Sequence, residues 1–187
     1  QPWCRFVGRP LTKTHIGFQS SKTYNRIMNS PNLKTLIADY LADAKMMQLA
    51  TVANGKPWIC NVWFAADPDM NIYWFSATNR RHSLEIANDS HVAAAICLPR
   101  SPQDAERGAL QIEGTGQLLT KPADIAKATR YYLSRQIFSV AQIKNFMTHL
   151  DRPHRFYKLS PELIVLFDTV HFPENSRQEY RPQASRP

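Results

Sequence analysis

A cluster of basic side chains follows the third predicted strand of the chain, at the start of a predicted helix. Arg80, Arg81 and His82 form the cluster, and Ser76 ends the strand before it. The positive end of a helix dipole disfavours cations, so two arginines at this position carry a cost unless an anion binds there. Arginine offers a planar pair of donors, and the first backbone N–H groups of a helix are free to bind phosphate. The cluster therefore predicts a phosphate-binding site.

Several aromatic side chains lie in the predicted strands that precede this basic cluster. Most members of such a set belong to the core and surface of a β-barrel, but a flat ligand ring needs only one or two aromatic walls. Phosphate donors and aromatic walls together predict a pocket for a flat, phosphorylated ligand. The aromatic side chains are Trp58, Trp63, Tyr73, Trp74 and Phe75.

A second set of polar side chains recurs at a spacing of four residues. Tyr131, Arg135 and Ser139 would share one face of a continuous helix. Two hydroxyls and a guanidinium on that face would be able to grip a second anion. The alternative is a solvated helix face, because polar residues at this spacing usually mark one.

The histidines and cysteines of the chain show no spacing that is typical of a metal site. The three cysteines, Cys4, Cys60 and Cys97, form no Cys-x-x-Cys pair, so we predict neither a disulfide framework nor a zinc site. No Gly-x-Gly-x-x-Gly, Walker or nucleophile-elbow motif occurs. The common dinucleotide-binding and P-loop folds therefore receive no support.

Length and charge restrict the remaining classes of protein. The 187 residues suit one domain, and no apolar run reaches the roughly 20 residues that span a membrane. Five of the net eight positive charges fall in residues 1–30, which contain no acidic residue. We expect residues 1–30 to be a basic, poorly ordered extension, which argues against a nucleic-acid groove in the folded domain. We also expect a cytoplasmic protein without membrane contact.

Hydrophobic periodicity predicts a mainly β domain with peripheral helices. Met46–Val52 and Lys56–Ala65 flank Asn54-Gly55, the strongest short signal for a hairpin turn. Six or seven antiparallel strands with a few helices make a small barrel. The other predicted strands are Asn71–Ser76, His91–Leu98, Ala109–Leu119, Arg155–Leu159 and Glu162–Asp168. The predicted helices run from Pro31 to near Ala44, over Asn79–Asn88, over Ala123–Arg135 and over Val140–Leu150.

Capping and turn residues refine these boundaries. Leu84 and Ile86 should pack inward from their helix, and Gly114 and Gly116 predict a bend or bulge in a strand. The chain after Phe172 is rich in proline and should be irregular. The predicted helix caps are Ser30 before Pro31, then Thr78 or Asn79, and finally Thr120.

These residues resemble the pyridoxamine 5′-phosphate oxidase-like family of FMN-binding split barrels, over about Leu33 to Tyr180. The order and spacing of several segments carry the resemblance, since no single motif is decisive. It implies a six- to seven-stranded antiparallel split β-barrel over residues 31–180, followed by a tail over residues 181–187. The matching segments are Gln48-Leu-Ala-Thr-Val with the Gly-x-Pro of residues 55–57, Tyr73–Ser76 leading into Arg80-Arg81-His82, Gln111-Ile-Glu-Gly-Thr-Gly, and Phe156-Tyr-Lys-Leu-Ser-Pro through Arg177-Gln-Glu.

The resemblance implies an FMN-dependent oxidoreductase, a homodimer with one FMN in each of two interface clefts and a small, anionic substrate. The phosphate would meet Ser76, Arg81 and His82, with help from Arg80. The flavin ring would lie along Cys60, Asn61, Val62 and Trp63, and Gln111 would reach it from the other subunit. The substrate would be held by Tyr131, Arg135 and Ser139, with Arg177 facing it. No catalytic acid or base is identified.

Three positions depart from the oxidase pattern. Cys60 stands where the oxidase has arginine, and Ala65 and His82 stand where it has lysines. These departures predict weaker or pH-dependent FMN binding and a substrate other than a vitamin B6 phosphate. Three alternatives remain open: a haem-binding split barrel that uses His154 or His171, a non-catalytic barrel that holds FMN or a B6 phosphate, and a nucleic-acid-binding barrel.

Overall fold

The computed structural model describes residues 32–98, 108–149, 151 and 153–182. Predictions for residues 1–30, including the Ser30 cap, concern residues outside this part of the chain. None of the helices in the described ranges has the length and apolarity that crossing a bilayer would need. The helices are α1 (Leu33–Asp43), α2 (Arg81–Asn88), α3 (Pro122–Ser134) and α4 (Val140–Thr148). The strands are β1 (Met46–Ala53), β2 (Lys56–Ala66), β3 (Ile72–Ala77), β4 (His91–Cys97), β5 (Ala109–Leu118), β6 (His154–Phe167) and β7 (Arg177–Tyr180).

The strands form one antiparallel sheet that closes on itself. Their order is β3-β2-β1-β4-β5-β6-β7, and a further pairing of β3 with β6 makes a barrel of six strands with β7 added along β6. Asn54 and Gly55 both have positive φ, as the tight turn between β1 and β2 requires. The predicted barrel with peripheral helices and its first hairpin are therefore confirmed.

The last long strand differs from the prediction. Sequence patterning predicts two strands separated by Ser160-Pro161, but β6 continues through this dipeptide and pairs with β5 on both sides of it. The pairing register shifts between Glu113 and Gly114, so Glu162 is the extra residue of a β-bulge. Proline lacks an N–H for the ladder and is tolerated at such a bulge. The bulge predicted around Gly114 is therefore confirmed, and the predicted interruption of the strand at Ser160-Pro161 is wrong.

The predicted caps of α2 and α3 are also wrong. Arg80 is the N-cap of α2 and Lys121 that of α3, and neither makes a capping hydrogen bond with its side chain. The first described helix, α1, is instead capped by Asn32, whose side-chain oxygen accepts a hydrogen bond from the Lys34 backbone N–H at 2.9 Å. Asn and Ser are both good caps, so sequence alone does not choose between neighbouring candidates.

Two further details of packing differ. Leu84 is 54% exposed rather than inward-facing, whereas Ile86 is buried as predicted. The chain after Phe172 is not wholly irregular, because β7 pairs with the last residues of β6. A four-residue strand that lies beside a long one carries too short a pattern to be recognised in the sequence.

Apolar side chains form two clusters, one inside the barrel and one between its wall and the helices. Trp74 and Phe64 are fully buried in the first cluster, and Tyr132 of α3 and Phe156 of β6 are fully buried in the second. Alternation along β3 explains the division, since its successive side chains face the barrel interior and the helices in turn. All six residues of β3 are therefore buried.

A buried carboxylate fastens α3 to the barrel. Asp67 accepts hydrogen bonds from the Lys127 ammonium at 2.6 Å and from the Tyr73 hydroxyl at 2.8 Å. Burial acts to raise the pKa of Asp67, but the bonds from Lys127, Tyr73 and Asn71 outweigh burial and hold that pKa below its usual value. The carboxylate therefore stays ionised, and α3 is held against the turn before β3.

The bulge between β5 and β6 leaves no room for a side chain at Gly114. A Cβ atom there would lie 2.2 Å from the Ser160 carbonyl oxygen, a backbone atom that cannot turn aside. At Gly116 the nearest atom is a methyl group of Val92 at 3.1 Å. We expect Gly114→Ala to lower the free energy of unfolding by about 3 kcal/mol, and Gly116→Ala by about 1 kcal/mol or less. Urea denaturation measures both, and equal losses would contradict this account.

Candidate functional site

The basic cluster lies where the chain leaves β3 and begins α2. Arg80 is the N-cap of this helix and has extended backbone, but its side chain makes no capping hydrogen bond. The Ser83 hydroxyl donates to the Ala77 carbonyl at 2.9 Å and so ties the first turn of α2 to the end of β3. The opening N–H groups of the helix are therefore presented beside two arginines at a fixed position.

His82 is buried and joins a chain of neutral groups. Its Nε2 lies 2.8 Å from the Ser76 hydroxyl oxygen, and its Nδ1 lies 3.4 Å from the Cys60 sulfur. Burial, and next the charge of Arg80, lower the pKa of His82. Burial, and next the charge of Glu85, raise the pKa of the Cys60 thiol. Imidazole and thiol are thus both uncharged near neutral pH.

This finding changes the expectation of pH-dependent binding through His82. The sequence predicts that an imidazole in place of lysine would lose its charge above about pH 6.5. Because the pKa of His82 is lowered, its loss of charge falls below that pH. The imidazole therefore acts near pH 7 as a hydrogen-bonding group rather than as a cation.

Arg81 has hydrogen-bond donors that other described residues do not use. Its guanidinium carbon lies 4.3 Å from the centre of the Trp58 ring, and its Nε donates to Glu85 Oε1 at 2.7 Å. The side chain is 48% exposed. Within the described part of the chain, the two Nη groups of Arg81 make no hydrogen bond. A planar pair of charged donors is thus available to an anion.

Sequence reasoning missed Glu85 and Thr51. Glu85 is buried, and its second oxygen accepts a hydrogen bond from the Thr51 hydroxyl. That bond is the main cause of the lowered pKa of Glu85, with Arg81 adding to it, so the carboxylate is ionised. The spacing of four residues between Arg81 and Glu85 is a signal that could have found this pair. Nothing in the sequence links Thr51 to them.

The four predicted flavin-contacting residues of β2 divide between two faces. Cys60 and Val62 pack against the barrel core, whereas Asn61 and Trp63 are exposed on the outside, Trp63 to 45%. Successive side chains of a strand point to opposite faces, which explains the division. A flat ring along β2 would therefore meet backbone and only alternate side chains.

The outer face of the barrel holds Gln111 and Arg177. They line a groove of about 440 Å³, whose floor is formed by β1, β4 and β5. Arg177 also pairs with Glu179, with 2.5 Å between Nη1 and the carboxylate oxygen. The groove brings these two predicted residues together, and its apolar lining includes Ala50, Ile59, Ala93, Ala95, Leu163 and Val165.

The expectation that Tyr131, Arg135 and Ser139 share one helix face is wrong. Helix α3 ends at Ser134, Arg135 is its C-cap, and Gln136 has a φ of 54°. Ser139 then begins α4. The residues after Ser134 leave the helical path, so the spacing of four residues no longer places side chains on a common face.

Each of the three side chains already has structural contacts. The Tyr131 ring stacks on that of Tyr73, with 6.3 Å between the ring centres. The Arg135 guanidinium donates to the carbonyl oxygens of Ala42 and Ala44 and so joins the end of α3 to the end of α1. Ser139 forms a capping box at the start of α4. Their role in binding substrate stays a prediction.

A second group with chemical potential lies after β6. Asp168 is 1% exposed and accepts hydrogen bonds from His171 Nδ1 at 2.7 Å and from the Tyr40 hydroxyl at 3.2 Å. Burial acts to raise the pKa of Asp168, but bonds from the His171 backbone and ring outweigh burial and lower it. His154, the other histidine considered for haem, packs between the rings of Phe75 and Phe146.

Comparison with solved structures finds the same fold in several proteins. The haem-binding protein from Mycobacterium smegmatis has a TM-score of 0.65 and 16% identity over 81% of this chain, which spans only 59% of that protein. HutZ, the haem storage protein from Vibrio cholerae, has a TM-score of 0.55 and 16% identity over 70% of this chain and 91% of HutZ. General stress protein 26 from Bacillus anthracis has a TM-score of 0.56 and 16% identity, over 80% of this chain and 98% of that one.

Comparison at the level of sequence identifies a family. No curated protein matches the chain. A family model described as pyridoxamine 5′-phosphate oxidase matches residues 33–166, which include the whole barrel except the end of β6. The same residues contain β1 to β5, α2 and the basic cluster at its start. The chain therefore belongs to the pyridoxamine 5′-phosphate oxidase family.

Proposed function

We propose that the protein is an FMN-dependent oxidoreductase that binds its flavin at the start of α2. The observation that carries the proposal is the Nη edge of Arg81, unbonded among the described residues, beside a helix start that the Arg80 side chain does not cap. An uncapped helix start with two arginines suits a phosphate dianion in charge and in hydrogen-bond donors. Membership of the family supports the same placement.

The residues present fit the phosphate end of FMN. Arg81 would provide two charged donors and Arg80 further positive charge, while Ser76 and His82 form a hydrogen-bonding wall beside them. Cys60 provides no charge, so binding would depend mainly on Arg81. When bound, FMN would supply the hydride and electron-transfer chemistry, and the chain's own residues would bind and orient it.

The ring of FMN is proposed to lie along β2, near residues 60–63. Backbone groups of this strand would hydrogen-bond the ring edge, because its side chains alternate between the two faces. Gln111 of the partner subunit would reach the ring from its groove. In support, Trp63 is exposed on the outer face of the strand and offers a flat apolar surface.

A homodimer is proposed to form through the outer face of β1, β2, β4 and β5. This face carries small and apolar side chains, and Ile59 is 60% exposed on it. An exposed apolar patch with a polar rim is typical of a protein–protein interface. Arg177 and Glu113 provide polar groups at the edge of the groove.

The proposed substrate is a small anion other than a vitamin B6 phosphate. Ala65 offers no charge where the oxidase has lysine, and Arg135 already donates to two backbone carbonyls. Arg177 is half-exposed in the outer groove and is the better candidate to attract the anion. Tyr131, Arg135 and Ser139 are the further substrate contacts that the family pattern implies.

Free thiols at Cys60 and Cys97 support a cytoplasmic location.

Replacement of Arg81 tests the phosphate site. We expect Arg81→Ala to weaken FMN binding by about 30-fold or more, since one charge-assisted hydrogen bond to phosphate contributes about 2 kcal/mol. Titration of the apoprotein, followed by quenching of flavin fluorescence, measures the dissociation constant. Arg181→Ala removes an exposed arginine outside the site and should leave it unchanged. Equal FMN affinity of Arg81→Ala and the wild type would refute the placement.

A charge in the outer groove tests the dimer. Ala93 is exposed on β4 within this groove, so Ala93→Arg would place a cation in the proposed apolar interface. We expect sedimentation to show a dimer for the wild type and a monomer for Ala93→Arg, with loss of FMN binding. The matched control is Ala126→Arg, on the exposed side of α3, which should remain dimeric. A monomeric wild type would contradict the proposed interface.

Haem binding is the second candidate, and the contact of Asp168 with His171 favours it. A histidine whose Nδ1 donates to a buried carboxylate keeps Nε2 available and strengthens it as an iron ligand. Two structural neighbours are described as haem-binding or haem-storage proteins. A non-catalytic barrel that holds FMN or a B6 phosphate is a third reading, which steady flavin turnover with NAD(P)H or oxygen would exclude.

Haem titration separates the first two candidates. If the protein binds haem, a Soret band should appear on addition of haem and should be lost in His171→Ala. The exposed His149→Ala serves as the matched control and should keep the band. A wild type that gives no Soret band, or a His171→Ala variant that keeps it, would rule out this assignment of the iron ligand.

A further inference from the structure

We infer that Glu85, held by Thr51, is a positioning residue that sets the preference of this site for phosphorylated over unphosphorylated ligands. The inference rests on the proposed function, because the ligand that it concerns is FMN. Glu85 does not itself offer a donor to a phosphate. Its effect would pass through Arg81, whose Nε it binds.

The Arg81 side chain has little conformational freedom in this site. A half-exposed arginine ordinarily samples many rotamers, and its five N–H donors are then not directed at one ligand. Here the Nε–H bond to Glu85 and the face of Trp58 restrain the guanidinium from two sides. The restraint uses Nε and leaves the Nη pair, which is the pair suited to a phosphate.

Glu85 is itself held in place by Thr51. Its side chain is 8% exposed, and the Thr51 hydroxyl donates to the oxygen that Arg81 does not use. Thr51 and Trp58 are direct partners in the pairing of β1 with β2. The hairpin therefore restrains Arg81 twice, through the ring of Trp58 and through the bond of Thr51 to Glu85.

The charge of Glu85 acts against phosphate binding. An ionised Glu85 offsets the charge of Arg81, and His82 is neutral near pH 7. Such a carboxylate repels a phosphate, so it does not favour the ligand by charge. Its contribution would come from the orientation that it gives to Arg81. A neutral glutamine at this position keeps an acceptor for Nε and removes the repulsion.

The test compares the affinities for FMN and riboflavin, which differ only in the phosphate. We expect Glu85→Ala to lower the preference for FMN over riboflavin by about tenfold, and Thr51→Val by about threefold, because each loosens a charged hydrogen bond. Riboflavin affinity itself should stay nearly constant. We expect Glu85→Gln to retain the wild-type preference or exceed it. Glu162→Ala, an exposed carboxylate in the bulge of β6, is the matched control.

The outcomes separate this inference from the proposed function. A wild type that binds neither flavin would overturn both. A wild type that prefers FMN, together with a folded Glu85→Ala variant whose preference stays within about twofold of it, would overturn the inference alone. If Glu85→Ala fails to fold, Thr51→Val decides in the same way, with thermal unfolding as the check on folding. A loss of preference in Glu85→Gln equal to that in Glu85→Ala would also overturn it, because the conservative variant should rescue.

Discussion

Pairing of β3 with β6 is the constraint on which the geometry of the basic cluster depends. It closes the barrel, with Ser76 opposite Arg155 and Ala77 opposite His154. Because β3 is buried on both faces, it cannot slide without disturbing the barrel core and the packing of α3 and α4 at once. The chain therefore leaves the barrel at a fixed point, where the Ser83 hydroxyl fastens the first turn of α2. A rigid exit from the sheet thus places an uncapped helix start and two arginines together before any ligand binds.

The charges around this helix start are nearly balanced. Two arginines face one ionised carboxylate, while the Cys60 thiol and the His82 imidazole are neutral, since partial burial raises the pKa of Cys60 and burial lowers the pKa of His82. In the family pattern those two positions would carry arginine and lysine. With less positive charge, the site would depend more on the direction of a few hydrogen bonds than on its total field.

The sequence was sufficient for the barrel, its first hairpin and the bulge at Gly114, because each has a strong local signal. Alternating apolar runs predict strands, Asn-Gly predicts a hairpin turn, and paired glycines predict a bulge. Tertiary contacts seldom override these local signals. The start of α2 was placed within two residues of Arg81, but its cap was not, since several neighbouring residue types can cap a helix. The predicted helices Ala123–Arg135 and Val140–Leu150 already leave a break before Ser139, and the positive φ of Gln136 is what redirects the chain there.

The contacts of Glu85 and Thr51 could not be read from local patterns alone. Thr51 lies 34 residues before Glu85, and only the closed sheet brings its hydroxyl to that carboxylate. The same is true of Asp168, which meets Tyr40 across 128 residues. Periodicity shows which face a residue occupies, but not which distant residue occupies the facing position. Side-chain partners of this kind require the sheet order and its register.

The two hydrogen bonds from Arg135 to the end of α1 restrict how this chain can change over evolution. Those bonds satisfy the carbonyls of Ala42 and Ala44, so releasing Arg135 toward a ligand would leave two helix-end acceptors in need of new partners. A lysine at Ala65 would meet a second obstacle, since that position is 1% exposed and packs beneath α3. Each of these two changes alone, the release of Arg135 or a lysine at position 65, would lower stability before it improved binding. A drift from this arrangement toward the oxidase pattern would therefore require compensating replacements around each position rather than a series of single neutral ones.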